Sequence, residues 1–179
     1  MLLSDSSIKK LIKSKKLKIK NLAAEAIQPS SIDLTLDNSA KILKYWTTNG
    51  ILDLNTKTNH EEISGKHFII PPHSFILAST KEYLSLPKDI SGFIEGRSSI
   101  GRMGLFIQNA SVVGPGFKGK LTLELYNANI LPIRLEAGRR VCQLLLFQMD
   151  QESETGYTGK YQNQKNTESS KIFLEKKGK

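Results

Sequence analysis

Residues 92–127 read GFIEGRSSIGRMGLFIQNASVVGPGFKGKLTLELYN. Two short apolar runs lie inside this stretch, Leu105 to Gln108 and Leu121 to Tyr126, and a third, Ile90 to Glu95, leads into it. Glycine, proline and asparagine separate the runs, as they separate strands joined by turns. In the last run Leu121, Leu123 and Leu125 alternate with polar residues. A period of two places the leucines on one face of a strand and Glu124, with Thr122 and Tyr126, on the other.

The same pattern extends outward in both directions. After Pro29, Ile32, Leu34 and Leu36 face one way while Ser31, Asp33 and Thr35 face the other. Further strands are predicted over Lys41 to Trp46, His67 to Ile70, Ser74 to Ser79, Pro132 to Leu135 and Val141 to Gln148. At the N-terminus, Ser4 can cap a short amphipathic helix whose apolar face is Ile8, Leu11 and Ile12. Thr47 to Lys66 reads as a surface excursion. From Asp150 to Ser170 the chain is polar and rich in Gly, Gln and Asn, and on its own periodicity it reads as a disordered tail. Many short strands with frequent turns predict an all-β chain with short helices, built as a sandwich or jelly roll rather than from alternating β and α units. No internal repeat or composition shift divides it, so residues 1–179 are expected to form a single domain.

Composition narrows the function. The chain has 39% hydrophobic and 24% charged residues, which is ordinary for a soluble domain. It shows no apolar run of membrane length and no leader-type apolar stretch, and is read as cytoplasmic with no membrane partner. Cys142 is the one cysteine and sits in an apolar run, so it reads as core packing. The net charge of +9 comes largely from seven lysines within Lys9 to Lys20 and from Lys171, Lys176, Lys177 and Lys179. Neither cluster is interleaved with aromatic residues that would stack on bases, which argues against a nucleic-acid partner. All five arginines fall between Arg97 and Arg140, and arginine's planar fork suits phosphate and carboxylate.

Several chemistries lack their residues. A zinc-dependent deaminase site needs a His-x-Glu and a Pro-Cys-x-x-Cys group, which one cysteine cannot supply. His60, His67 and His73 have no metal-ligand spacing. Gly96-x-x-x-x-Gly101 lacks the Lys-Ser/Thr that completes a phosphate-binding loop. What remains is the Arg97-Ser98-Ser99 turn, which offers a guanidinium, two hydroxyls and turn amides to an anion. Glu124 is the accompanying carboxylate. An approach by Arg102 would keep it ionised and able to take a proton from water.

Glu95-Gly96-Arg97-Ser98-Ser99-Ile100-Gly101-Arg102, Pro115-Gly116-Phe117 and Leu123-Glu124-Leu125 resemble the dCTP deaminase branch of the trimeric dUTPase superfamily. So do Gln28-Pro29-Ser30-Ser31-Ile32-Asp33-Leu34, Gly138-Arg139-Arg140-Val141-Cys142-Gln143-Leu144 and Gly159-Lys160-Tyr161-Gln162-Asn163-Gln164. The resemblance implies a distorted jelly roll (β-clip, dUTPase-like), a homotrimer and active sites between subunits. It implies Glu124 as catalytic carboxylate, with Ser98 and Arg102 placing water and substrate. Phosphate contacts are implied from Arg97, Ser98, Ser99, Lys160 and Gln164. Ile100, Gly101, Gly114, Thr122, Leu123, Gln143 and Tyr157 line the nucleotide site in the same reading. Residues 150–179 are then expected to order over the bound nucleotide. Magnesium is expected with the triphosphate and no zinc, with dCTP and dUTP as ligands and dTTP as an inhibitor.

At Gly114 the family pattern has aspartate, which contacts the deoxyribose and orients the water that attacks phosphorus in members that also cleave triphosphate. Ala110-Ser111-Val112-Val113 departs from the family pattern as well. The expected reaction is therefore deamination of dCTP to dUTP and ammonia, with diphosphatase activity weak or absent. The alternatives are a regulatory paralogue that binds nucleotide without turnover and a bifunctional enzyme that forms dUMP.

Overall fold

The computed structural model describes residues 1–108 and 112–175, so Ala110 and Ser111 of the reshaped pocket, and Lys176, Lys177 and Lys179, lie outside the described residues. The N-terminal helix α1 (Asp5–Lys13) is capped as expected, Ser4 Oγ accepting from the Ser7 N–H at 3.4 Å, and it buries Ile8 completely. Strands β1 (Lys18–Lys20), β2 (Ile27–Gln28) and β3 (Ser31–Leu43) follow, then β4 (His60–Ser64), β5 (His67–Ile70), β6 (Phe75–Thr80) and β7 (Tyr83–Ser85). β8 (Ile90–Gly96) leads into a one-turn helix, α2 (Ser98–Gly101), where the sequence suggests a polar turn. The remaining strands are β9 (Leu105–Gln108), β10 (Lys118–Gly119), β11 (Thr122–Asn127), β12 (Ile133–Glu136) and β13 (Arg140–Gln148).

All the strand pairs are antiparallel. The main sheet runs β8-β13-β3-β6-β11-β9, with β2 and β4 also on β3. It curls until its outer strands meet: a Cβ on Gly96 of β8 would lie 3.2 Å from the Ile107 carbonyl of β9. A barrel-like core results, filled by Ile32, Leu34 and Leu36 of β3, Leu123 and Leu125 of β11 and Leu144 and Leu146 of β13. The expected all-β, jelly-roll class is what forms. Cys142 is fully buried within this core, and burial pushes its thiol far above the ordinary range, so it is unreactive packing. No helix among the described residues is long and apolar enough to cross a membrane.

Two expectations need correction. The strands predicted from Ile32 and from Lys41 are one strand, β3, which runs without a break from the β13 side of the sheet to the β4 side, with a register irregularity between Leu36 and Ala40. The turn at Tyr45–Thr47 ends the path that was read as strand to Trp46. The polar residues Ser31, Asp33 and Thr35, on the other face of β3 from its leucines, are all buried. Each finds polar partners there in place of water, as buried polar groups must.

Candidate active site

Glu124 sits in β11 between β6 and β9, on the face opposite Leu123 and Leu125, as its alternation requires. A cavity of about 610 Å³ opens along that face. Thr122 and Glu124 form its floor, and Gly114 and Phe117 form one side. Tyr157, Gln164 and Glu168 of the C-terminal segment close another side, and Thr58, His60 and Leu77 stand along the rest. Glu124 is half-buried, and that desolvation raises its pKa above the ordinary glutamate value of 4.5. Among the described residues no hydrogen bond or ion pair reaches its carboxylate, and Arg102, exposed at the end of α2, does not pair with it within the chain.

The Arg-Ser-Ser region is built elsewhere. Ser98 and Ser99 are exposed at the start of α2, and Ile100 anchors the turn by packing on the core. Arg97 is held from below by Asp33, which is 1% exposed; Arg97 Nε is 3.8 Å and Arg140 Nη1 3.1 Å from Asp33 Oδ2. Gln143, directly across the β3–β13 ladder from Asp33, donates to Asp33 Oδ1 and to Ser31 Oγ, each at 3.2 Å. One buried carboxylate thus fixes Arg97, Arg140 and Gln143 as a group. Beneath it Glu82, fully buried, accepts from the Thr35 N–H at 2.9 Å and the Thr35 hydroxyl at 2.6 Å. Burial raises the pKa of Glu82 while these bonds oppose the rise.

The described part of the C-terminal segment is held against the rest of the chain by hydrogen bonds, contrary to its reading as a disordered tail. Gln162 donates to the carbonyls of Gly116 and Tyr157, at 3.1 and 2.8 Å, and accepts from the Lys118 N–H at 2.8 Å. Gln164 forms an isolated parallel bridge with Gly119. The Tyr157 ring meets Phe117 edge to face at 5.6 Å. A Cβ at Gly114 would stand 3.3 Å from Tyr157 Cδ2, so glycine there lets the segment lie close.

One chain therefore gathers Glu124, Thr122, Gly114, Tyr157 and Gln164 around the cavity, while Arg97, Ser98, Ser99, Ile100, Gly101, Arg102 and Gln143 belong to the Asp33 side. Lys160 pairs with Glu175 and is not in the cavity wall. The side chain of Leu123 is fully buried in the core, because it lies on the other face of β11 from Glu124, so its place in the nucleotide site would be through its backbone. Asp33, Glu82, Thr58 and His60 were given no role from sequence. Asp33 stood in a quoted motif, whereas Glu82, Thr58 and His60 lie in polar stretches with no local signal.

A closed antiparallel barrel with a carboxylate in a cavity covered by the chain's own C-terminal segment defines a dUTPase-like fold. It is similar to the solved 2′-deoxycytidine 5′-triphosphate deaminase of Agrobacterium tumefaciens, with a TM-score of 0.62 and 25% identity. That match covers 80% of this chain and 46% of the longer one. The dUTPase of EIAV, at 17% identity and a TM-score of 0.51, shares the fold over 80% of this chain and 96% of its own.

The chain belongs to the dCTP deaminase-like family, whose pattern matches residues 2–149. It is 47% identical over 181 residues to the dCTP deaminase, dUMP-forming, of Persephonella marina, covering 98% of this chain and 99% of that one. To the protein of the same name from Aquifex aeolicus it is 44% identical over 177 residues, covering 98% and 97%. These names overturn the expectation of dUTP as end product, and with it the doubt about diphosphatase activity drawn from Gly114. That expectation let a single missing carboxylate stand for a whole reaction. A Cβ at position 114 would lie 3.3 Å from the Tyr157 ring, and the cavity holds a second carboxylate, Glu168.

Proposed function

We propose that this protein is a bifunctional dCTP deaminase that converts dCTP and two waters to dUMP, ammonia and pyrophosphate. The observation that carries the reading is Glu124, a half-buried carboxylate with no cation beside it among the described residues, in a cavity large enough for a nucleoside. In the first step Glu124 takes a proton from water, the oxygen attacks C4 of cytosine, and the proton passes to the departing ammonia. In the second, water attacks phosphorus and pyrophosphate leaves. Magnesium would come bound to the triphosphate and would neutralise phosphate charge there; Glu124 and Glu168 are the carboxylates of the cavity that would hold it. Ser98 and Arg102 place water and substrate. Arg97, Ser99, Lys160 and Gln164 contact phosphate, with Gln143 and Tyr157 lining the nucleotide, and dTTP competes for the same site. Residues 1–179 act as a single cytoplasmic domain whose segment after residue 150 closes over the ligand.

A homotrimer completes the site. Arg97, Ser98 and Arg102 do not line the cavity of their own chain, so a second copy would bring them to it. A row of exposed aromatics crosses three neighbouring strands beside Glu124, Phe75 and Phe106 each opposite Tyr126, at 50, 52 and 38% exposure. Uncovered apolar rows of this kind suit a protein interface.

Incubation with dCTP and magnesium, with ammonia, pyrophosphate and nucleotide measured together, tests the reading. Equal ammonia and pyrophosphate with dUMP are expected. Ammonia without pyrophosphate would restore dUTP as product, and neither, despite nucleotide binding, would leave a non-catalytic regulator. Glu124→Gln is expected to lower turnover by about 10²- to 10⁴-fold while still binding nucleotide.

A further inference from the structure

Among the described residues two carboxylates line the cavity, Glu124 and Glu168, and the proposed reaction asks for two different attacks by water. A general base must stand within about 2.6–3.2 Å of the proton it takes, or one water further away. Glu124, placed against C4 of the base, cannot also reach a water in line with phosphorus at the other end of the same bound nucleotide. Gly114, on the cavity wall, has no side chain to offer. Glu168 is the carboxylate left for the second attack.

The C-terminal segment seats Glu168 with its own contacts. The Glu168 N–H donates to Thr122 Oγ1 at 3.1 Å, and the preceding Thr167, 2% exposed, donates its hydroxyl to the Ser39 carbonyl at 3.4 Å. Thr122 and Glu124 share one face of β11, roughly 7 Å apart at the spacing of alternate strand residues, so Glu168 enters the cavity about that far along the strand from Glu124. Lys171 Nζ stands 3.1 Å from Glu168 Oε2, donates to the Lys160 carbonyl at 3.2 Å and lies over the Tyr161 ring at 5.5 Å. One lysine thus ties the Glu168 carboxylate to Lys160, a residue proposed to contact phosphate. Glu168 lies on the phosphate side of the cavity and Glu124 on the base side.

We propose that Glu168 is the catalytic base of triphosphate cleavage, as Glu124 is of deamination. The inference rests on the bifunctional reading and divides its two reactions between two carboxylates. In the cleavage step Glu168 takes a proton from water and the oxygen forms a bond to the α-phosphorus. The bond from that phosphorus to the bridging oxygen breaks, and pyrophosphate leaves with the electron pair.

The test follows ammonia and pyrophosphate together from dCTP, and pyrophosphate from dUTP, in wild type, Glu168→Gln and Glu168→Asp with magnesium. Binding of α,β-imido-dUTP, whose bridging nitrogen resists cleavage, is read by calorimetry, and thermal melting checks the fold. Glu168→Gln should lower pyrophosphate release from either nucleotide by about 10²- to 10⁴-fold, so that dUTP accumulates from dCTP in place of dUMP. Analogue binding should fall far less, and Glu168→Asp, which keeps a carboxylate on a shorter arm, should recover part of the loss. Ammonia and pyrophosphate that fall together in Glu168→Gln, or that stay equal to each other at the wild-type rate, overturn the proposal and leave the bifunctional enzyme intact. So does a loss of analogue binding large enough to account for the lost cleavage. A wild type that releases no pyrophosphate overturns both.

Discussion

Burial alone sets the ionisation of Glu124, and this has a sign that experiment can read. Desolvation disfavours the carboxylate, so its pKa lies above the ordinary 4.5. A general base works only when ionised, and kcat/KM should therefore rise with pH through an acid limb displaced above that value. Replacement of Glu124 by Gln should remove the limb together with the activity; a limb that persists in the residual activity would assign it to another group. The same shift links to folding: a carboxyl with a raised folded pKa contributes stability that is complete below the unfolded value and is lost as pH rises through the folded one. Asp33 serves another purpose. It is buried against Arg140, Arg97 and Gln143, and acts as a scaffold for these cationic and amide groups. Nothing in the alternation at residues 31–36 distinguishes these two fates, because a period of two locates a face without saying what covers it.

At the scale of elements, strands with alternating leucines or continuous apolar runs were legible in the sequence. β8, β9, β11 and β13 begin and end within a residue or so of their predicted limits. The short strands β1, β2, β7 and β10 were not, since two or three residues hold too little pattern to register, and β4 lay inside the polar stretch read as a surface excursion. The C-terminal segment was illegible for a stronger reason. It is ordered by hydrogen bonds from Gln162 and Asn163 to residues 116–118, more than forty positions away, and by few apolar contacts. Its seat depends on Gly116, which has φ +78°, and a Cβ there would stand 2.9 Å from Gly156 Cα and 3.2 Å from the Tyr157 nitrogen. Gly116→Ala should therefore lift the segment. The expected outcome is faster proteolytic cleavage between residues 150 and 170, weaker protection by nucleotide and a raised KM. Unaltered cleavage and KM would mean that the segment is held by its remaining contacts.

On the scale of the whole molecule, motifs identified the family well while concealing how the site is divided. The Arg97–Arg102 run and Glu124 lie within one short stretch of sequence, yet β8 and β11 deliver them to different surroundings: Arg97 is seated on Asp33, and Glu124 faces a cavity that no lysine or arginine lines among the described residues. Proximity in sequence suggested an Arg102–Glu124 pair that a single chain does not make. If a second copy supplies Arg102 to the cavity, each site in a trimer takes its two halves from different subunits. Arg102→Ala and Glu124→Gln chains would then each be inactive alone, and mixing them with subunit exchange should restore activity. In a random equal mixture roughly a quarter of sites would draw an intact Glu124 from one chain and an intact Arg102 from its neighbour. Recovery near that fraction, measured as ammonia release from dCTP after co-refolding, is the expected result. A mixture as inactive as its parts, with exchange confirmed by mass spectrometry, would place the whole site within one chain and require Arg102 to swing to Glu124 on binding.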